Sequence, residues 1–577
     1  MAPMRNPLFG NDHAKRPAPT FTSAAAPVSA LRPRVLGALI GWTGASAVVC
    51  FALRAVVLED VRPGAKLHIF WHLFLRDEPA AAVLGLAVVL ASVLVARFFW
   101  PGALDGAVER LAARPWTFIA AATATLAVAA VVVYHRHPLS MDEYAPLFQA
   151  RAFARGSLWG EVPPQVLPRL VPVRSGEFLE AAVDGRVISS YWPGFALLLT
   201  PFAALGLPWL LNPLLGGATL WIVWRLARRL LPSPSAAGWA VLLTAASPAF
   251  AVNAISFYSM GAHLLFNLLF VSLVLEPAPR RLVAAGAVGS FALALHNPVP
   301  HLLFALPWMA WIALRQGGAR RLAALLLGYV PLSALLGVGW LWVRSRLAGT
   351  TAQAAGPVQL AAGLARIAFS APGVDLILAR AAGLVELILW AAPGLLLVAC
   401  WGGLRSVRRA GDRRLSLLAL SAACTLAGYM FVPFNQGHGW GFRYFHSAWG
   451  AVPLLAAAFL TSPDVEKTFL PRVMLVCAVL SLALGTGLRF AQVRSFIDDH
   501  LAQLPRAAAS HERRVVFVRR DRGYYSQDLV QNDPFLDGSR WILLSAGEES
   551  DADWMRRAFP GSRRMAANEV ATVWAVE

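Results

Sequence analysis

Long apolar stretches recur along almost the whole chain, and they restrict the folds that it can adopt. A hydrocarbon core about 30 Å thick needs roughly 20 consecutive apolar residues for each helical crossing, and about thirteen such stretches can be drawn. They cover 35–57, 79–100, 117–135, 212–231, 236–255, 257–275, 282–296, 298–314, 322–343, 378–401, 415–433, 446–461 and 470–489. Of the 577 residues only 14% are charged, whereas soluble domains are about one quarter charged. The sequence therefore predicts an all-α polytopic membrane protein.

Arginine supplies most of the formal charge of +19. Its residues cluster at the ends of the apolar stretches, as topology signals do, so we expect no nucleic-acid partner. The clusters at 225–229, 280–281, 315–321 and 405–414 fall on one side of the membrane if the N-terminus is cytoplasmic. The same count of crossings predicts an extracytoplasmic C-terminus.

Composition divides the chain into three parts. Residues 1–34 are polar and rich in Ala and Pro, which predicts a disordered cytoplasmic tail. Residues 35–489 form the predicted transmembrane domain. Residues 490–577 carry short β-rich apolar runs, turn signals and one helical stretch, which predicts a small extracytoplasmic α/β domain.

A long polar loop at 135–211 follows the third predicted crossing and is therefore expected outside the membrane. Its last part, 191–207, is apolar but short, and it is interrupted by Pro193 and Pro201. Counting it as a crossing would invert the arginine bias of every later loop. We interpret it as a juxtamembrane helix lying in the outer, periplasmic interface.

Two adjacent carboxylates, Asp142 and Glu143, lie at the beginning of this loop. Acidic side chains at a membrane boundary are costly to desolvate, so the pair is a candidate catalytic or metal-binding site. Neighbouring helix positions point about 100 degrees apart, so one of the two is expected to face a given cavity. Alternatively, the pair is a solvated helix N-terminus that interacts favourably with the helix dipole.

A second candidate lies at 437–446, where glycines alternate with aromatic and charged residues. Glycine allows close approach of the backbone, and the fork of Arg443 can hold a phosphate. His438 and Tyr444 flank it in sequence. Alternatively, the aromatic residues form an interfacial belt and Arg443 extends to the membrane surface.

Three stretches resemble the lipid-linked-sugar glycosyltransferases of the GT-C fold, which include the protein O-mannosyltransferases and the aminoarabinose transferases of lipid A. They are 141–144 with 150–156, 191–202 followed by 212–230, and 441–444. The likeness covers about residues 117–460 and depends on the order and sidedness of the three stretches together. Trp192 replaces the second proline that the family often has, which leaves the donor and the acceptor open.

The resemblance implies an inverting transfer of a sugar from a polyprenyl-phosphate donor to an envelope glycan, lipid or protein. The reaction would take place on the outer side of a bacterial inner (plasma) membrane, among membrane lipids. Asp142 would act as general base or as a metal ligand. A divalent metal ion is thus a candidate cofactor, with Asp142 and Glu143 as its candidate ligands. The residues expected to bind the donor and its phosphate are Arg443, Tyr444, His438, Arg151, Arg155 and Tyr191.

Two other functional classes stay open at this point. A transporter or flippase of a lipid-linked substrate would need charged groups at mid-bilayer depth, and the apolar stretches contain few, chiefly Arg380 and Glu386. A non-catalytic membrane protein could bind cell-wall material with its C-terminal domain. The large outer loop with its carboxylate pair favours the enzyme.

Overall fold

A computed structural model describes residues 28–60, 66–100, 102–104, 106–170, 178–315, 317–348, 373–408, 413–432, 436–506 and 513–576. The predicted disordered tail, 1–34, lies mostly outside these ranges. Its last residues already belong to the first helix, which begins at Val28.

Helices make up most of the described chain, as the composition predicts. The first twelve are α1 (Val28–Asp60), α2 (Ile69–Phe98), α3 (Ala107–Ala113), α4 (Pro115–Val132), α5 (Met141–Ala154), α6 (Leu167–Leu170), α7 (Gly194–Ala204), α8 (Leu211–Leu230), α9 (Ala236–Ala245), α10 (Pro248–Asn253), α11 (Met260–Val274) and α12 (Pro279–Leu293). They are followed by α13 (Val299–Ala313), α14 (Gly318–Leu332), α15 (Trp340–Ala348), α16 (Val374–Leu389), α17 (Leu395–Arg408), α18 (Arg413–Met430), α19 (Ala451–Leu460), α20 (Pro463–Glu466), α21 (Leu470–Leu480), α22 (Thr486–Leu501) and α23 (Glu548–Ala558).

Six helical stretches in the described ranges are long and apolar enough to cross a membrane. They are Val35–Glu59, Ile69–Phe98, Pro115–Val132, Pro208–Leu230, Gly318–Leu347 and Leu470–Leu501. Shorter apolar helices, such as α11 and α13, lie among them. The helical, membrane-spanning class is therefore confirmed, while the number of about thirteen crossings stays a prediction.

Two predicted spans are interrupted in the structure. The span 236–255 breaks between α9 and α10, and the span 378–401 breaks between α16 and α17, where Gly394 has a φ of 77°. The two interrupted segments lie side by side. The Ala249 N–H donates a hydrogen bond to the Trp390 carbonyl oxygen at 2.9 Å. Both residues are buried. Irregular backbone at membrane depth is tolerated in such places, where protein rather than lipid surrounds it.

Two small sheets accompany the helices. The first joins β1 (Gly160–Glu161), β2 (Leu179–Ala181) and β3 (Arg186–Ser189) in the order β1-β3-β2 within the predicted outer loop. The second joins β4 (Arg513–Val518), β5 (Arg540–Leu544), β6 (Arg563–Ala567) and β7 (Ala571–Val576) in the order β5-β4-β7-β6, with β4 and β5 parallel. With α23 it has the α/β content predicted for this region. Its status as a separate extracytoplasmic domain stays a prediction.

The C-terminal sheet packs on the outer loop. Phe517 and Leu543 share one buried cluster with Tyr144 and Phe148 of α5. The Tyr144 hydroxyl also donates a hydrogen bond to the Asn532 carbonyl oxygen at 2.7 Å. Apolar packing of this kind fixes the loops of the C-terminal sheet relative to the beginning of α5.

Helices α12 and α14 pack closely through glycine. A Cβ added at Gly286 would overlap the Leu325 carbonyl oxygen, and one added at Gly328 would overlap the Val283 carbonyl oxygen. Small residues allow such approach of helix backbones in membranes, where packing rather than the hydrophobic effect holds helices together.

We expect Gly286→Ala to lower the melting temperature of the purified protein, because an added methyl group must force the α12 and α14 backbones apart at a cost of about 1–3 kcal/mol. Gly85→Ala in α2 is the matched control, since a Cβ there meets no atom within 4 Å. The measurement is thermal unfolding in detergent followed by tryptophan fluorescence. Equal melting temperatures for the two variants would contradict the close packing.

Candidate functional site

The beginning of α5 is fixed by a capping box. Glu143 accepts hydrogen bonds from the backbone N–H groups of Leu139 (2.8 Å), Ser140 (3.3 Å) and Phe257 (2.8 Å), and from the Tyr134 hydroxyl (2.9 Å). The Ser140 side chain accepts in turn from the Glu143 backbone. Such reciprocal bonds satisfy the free donors of a helix N-terminus.

Glu143 is completely buried and is not among the residues that line the cavity described below. Burial raises the pKa of Glu143 to about 7, while the hydrogen bonds donated to it act in the opposite direction. The position of its carboxylate ties α5 to the end of α4 and to the segment before α11. It therefore fits a positioning role.

Asp142 points the other way, towards Arg443. Its Oδ2 lies 2.8 Å from Arg443 Nη2, and its Oδ1 accepts a hydrogen bond from the Tyr191 hydroxyl. Burial raises the pKa of the Asp142 carboxyl, but the charge of Arg443, the proximity of His296 and the bond from Tyr191 outweigh it. The pKa of Asp142 is consequently below its usual value. The carboxylate is charged at neutral pH.

Arg443 is held by the glycine-rich loop. Its backbone N–H donates to Gln436 Oε1 at 3.0 Å, and its Nη2 donates to the Gln436 carbonyl oxygen. Its guanidinium carbon lies 5.2 Å from the centre of the Tyr258 ring. Gly439, with a φ of 149°, passes directly against the Arg443 side chain, where a Cβ would lie 2.7 Å from Cδ. The loop therefore needs glycine at this position.

Part of the Arg443 guanidinium has no protein partner. Its side chain is 10% exposed, and its buried Nε and Nη1 have no hydrogen-bond partner among the described residues. Buried donors without partners are costly, so such groups in a native fold need an explanation. A bound anion would supply the missing acceptors, and the planar fork suits a phosphate.

These side chains line one cavity of about 860 Å³, within the size range of small-molecule binding sites. Its lining includes Asp142, Tyr191, His296, Asn297, Gln436, His438, Arg443, Tyr444, Tyr525, Gln527 and Asp528. The structure thus brings together five of the residues expected from the sequence, namely Asp142, Tyr191, His438, Arg443 and Tyr444. Tyr444 stacks on Tyr429 with ring centres 4.6 Å apart.

Arg151 and Arg155 do not belong to the lining of this cavity. Arg151 is half-buried on α5, and Arg155 at its end is exposed. Arg155 pairs with Asp537 and lies 3.6 Å from Asp533. It therefore anchors the C-terminal sheet to α5 in this structure.

Several cavity residues were missed by reasoning from the sequence. His296 lies with its ring centre 4.2 Å from that of Tyr191. Its position beside Asn297, at the end of an apolar stretch, is a signal that the sequence offers. Gln436, Gln527 and Asp528 carry no motif of their own.

A metal ion does not fit the two predicted carboxylates as they are arranged here. Both oxygens of Asp142 already have partners, and both oxygens of Glu143 accept hydrogen bonds from the protein. Among the described residues, no group of three or more His, Cys, Asp or Glu side chains is placed to hold a metal. We therefore derive no step through a metal.

Comparison with solved structures identifies the fold of the chain. No protein-family model matches the chain, and no curated protein matches it. Among solved structures, ArnT from Cupriavidus metallidurans in the apo state matches with a TM-score of 0.51 and 13% identity, covering 80% of this chain and 98% of that chain. The same protein bound to undecaprenyl phosphate matches with a TM-score of 0.50 and 14% identity over the same shares. The predicted GT-C-like fold is thereby confirmed.

We expect Glu143→Gln to damage folding more than chemistry. The amide replaces one acceptor oxygen by a donor, which leaves buried N–H or O–H groups unpaired at a cost of at least about 2 kcal/mol. The variant should unfold at lower temperature in detergent, and any activity should fall only with the folded fraction. Glu161→Gln, at an exposed position of the same outer loop, is the control. A stable but inactive Glu143→Gln protein would instead place this carboxylate in the reaction.

Proposed function

We propose that the protein is a membrane glycosyltransferase that moves a sugar from a polyprenyl-phosphate donor to an envelope acceptor with inversion. The observation that carries the proposal is the pair formed by Asp142 and Arg443 in one cavity, where Nε and Nη1 of Arg443 have no acceptor among the described residues. The fold shared with ArnT supports the proposal. The positions of the arginine clusters support a cytoplasmic N-terminus and an extracytoplasmic site.

Arg443 binds the phosphate of the donor. Departure of a polyprenyl phosphate develops negative charge on the phosphate oxygens, and fixed positive charge in a site with little water stabilises that charge most effectively. The free Nε and Nη1 of Arg443 supply two donors, and Tyr444 lies beside them in the lining. A solved ArnT structure holds undecaprenyl phosphate, which supports a donor of this class here.

Asp142 accepts the proton of the acceptor hydroxyl or amine. Its carboxylate is ionised at neutral pH because of Arg443, so it is in the form that a base requires. The hydrogen bond from Tyr191 and the pair with Arg443 fix its orientation. A base fixed in this way loses little orientational freedom when the acceptor binds.

A lipid flippase or transporter is supported less well. Glu78 and Arg489 form a buried ion pair at 2.6 Å. Arg489 stacks over Trp390 at 4.0 Å, and the Trp390 ring N–H donates to Glu78 at 2.7 Å. None of these three residues belongs to the lining of the cavity. The cluster therefore fits a role in holding the helices together better than a role in a substrate path.

We expect Arg443→Lys to weaken binding of undecaprenyl phosphate by about tenfold or more, since one ammonium replaces a fork that offers two donors to phosphate. The measurement is a titration of the purified variant with the lipid. Arg405→Lys, which alters a partly buried arginine paired with Asp464 outside the cavity, is the control. If Arg443→Lys binds like the wild type and His438→Ala does not, the phosphate site lies on the histidine side of the loop.

Asp142→Asn should abolish sugar transfer, because a base is lost with little change in volume, and the folded fraction should still bind the donor. The uncompensated charge of Arg443 should lower the melting temperature, so transfer is compared per amount of folded protein. The assay follows labelled sugar from a panel of polyprenyl-phosphate donors into native envelope material, beside a lipid titration and a melting curve. Asp184→Asn, an exposed residue of the same outer loop, should behave like the wild type. Transfer within a few-fold of wild type would remove Asp142 from the reaction.

A further inference from the structure

The C-terminal sheet contributes part of the cavity wall. The segment between β4 and β5 places Tyr525, Gln527 and Asp528 in the lining that also contains Asp142 and Arg443. Nothing in the donor-binding scheme above uses these three side chains. The pKa of Asp528 is raised, mainly by burial and partly by the negative charge of Asp142, while His438 acts in the opposite direction. The two carboxylates therefore face one space and influence each other.

Tyr525 is held in an unfavourable backbone conformation, with a φ of 49° and a ψ of 35°. Such a conformation costs a residue other than glycine about 1–3 kcal/mol and persists only where the surroundings fix it. Here the Tyr525 hydroxyl accepts a hydrogen bond from the Ile69 N–H at 3.0 Å, and its ring meets the His438 ring edge-on at 5.0 Å. The aromatic face is thus rigidly placed at the cavity.

Asp528 and His438 lie against each other in the cavity wall. His438 Nε2 lies 2.9 Å from Asp528 Oδ2, and both side chains are almost fully buried. The imidazole and the carboxylate together place a ring nitrogen and an oxygen beside each other at the wall, a combination that suits hydroxyl groups. Gln527 adds an amide that both donates and accepts, and its side-chain oxygen accepts a hydrogen bond from Arg520 at 3.3 Å.

We propose that Tyr525, Gln527 and Asp528, with His438, form the acceptor subsite, and that this subsite binds a carbohydrate. The inference rests on the glycosyltransferase activity proposed above. A rigid aromatic face suits the C–H face of a sugar ring, and a carboxylate beside an amide suits neighbouring hydroxyl groups. A few convergent polar groups on a mostly apolar wall give orientation and specificity in small-molecule sites.

The acceptor hydroxyl then reacts at the donor. Its oxygen attacks the anomeric carbon as the bond from that carbon to the phosphate oxygen breaks, and the electron pair of the broken bond stays on the phosphate beside Arg443. The hydroxyl proton passes to Asp142. Asp528 accepts a hydrogen bond from another hydroxyl of the acceptor and takes no proton, so it is a specificity residue for the acceptor.

Binding of simple sugars tests this subsite without knowledge of the natural acceptor. The probes are the methyl glycosides of glucose, galactose and mannose, with ethanolamine as the amine probe, measured by saturation-transfer NMR on the full chain in nanodiscs. We expect at least one glycoside to bind, and Asp528→Asn to weaken it by about tenfold or more, since a hydrogen bond to a charged group is lost. Gln527→Ala should weaken it as well without disturbing the buried pair.

Asp521→Asn is the matched control, because Asp521 lies in the same segment and is largely exposed. Equal glycoside binding by Asp528→Asn, Gln527→Ala and Asp521→Asn would overturn the subsite. Binding of ethanolamine through Asp528, or of no probe to the wild type, would overturn the carbohydrate assignment.

Titration with undecaprenyl phosphate separates the two proposals. Its failure in the wild type overturns the donor scheme, whereas unchanged lipid binding by Asp528→Asn with lost glycoside binding supports the acceptor subsite.

Discussion

A buried ion pair between Asp142 and Arg443 is the interaction on which the site depends. Removing either partner would leave an uncompensated charge, which is far costlier than the pair itself. Each of the two charged groups therefore also has a hydrogen-bond partner outside the pair. Tyr191 donates to the carboxylate, and Gln436 accepts from both the backbone and the side chain of Arg443. The pair joins the first outer loop to the glycine-rich loop before α19, although these segments are far apart in sequence.

The two N-terminal helices support the same loop from the membrane side. Gln436 lies 3.4 Å from Glu386 through its amide nitrogen, and Glu386 lies in α16, which packs against α1 and α2. Close by, Glu78 of α2 holds Arg489 and the Trp390 ring. A buried network of this kind has strong interactions only if every member is satisfied. Helices α1 and α2 thus contribute to the packing around the glycine-rich loop.

Much of the fold and part of the site follow from local sequence. Apolar length predicts the membrane helices, and Ser140 with Glu143 is a capping-box pattern that was visible in the sequence. Helical periodicity also explains why Arg151 lies away from the cavity. It follows Asp142 by nine positions, which places it about 180 degrees around the helix. The long-range features were not predictable in this way. Asp528 reaches the cavity only because the C-terminal sheet packs on α5 through residues such as Tyr144 and Phe148.

The guanidinium of Arg443 is held in place by several parts of the fold. Nε and Nη1 of Arg443 have no hydrogen-bond acceptor among the described residues, so their N–H groups are the donors that remain for a ligand. The surrounding glycines, Gln436 and Tyr258 hold the group in that position. A ligand phosphate meets donors that are already oriented, so little binding free energy is spent on rearranging them.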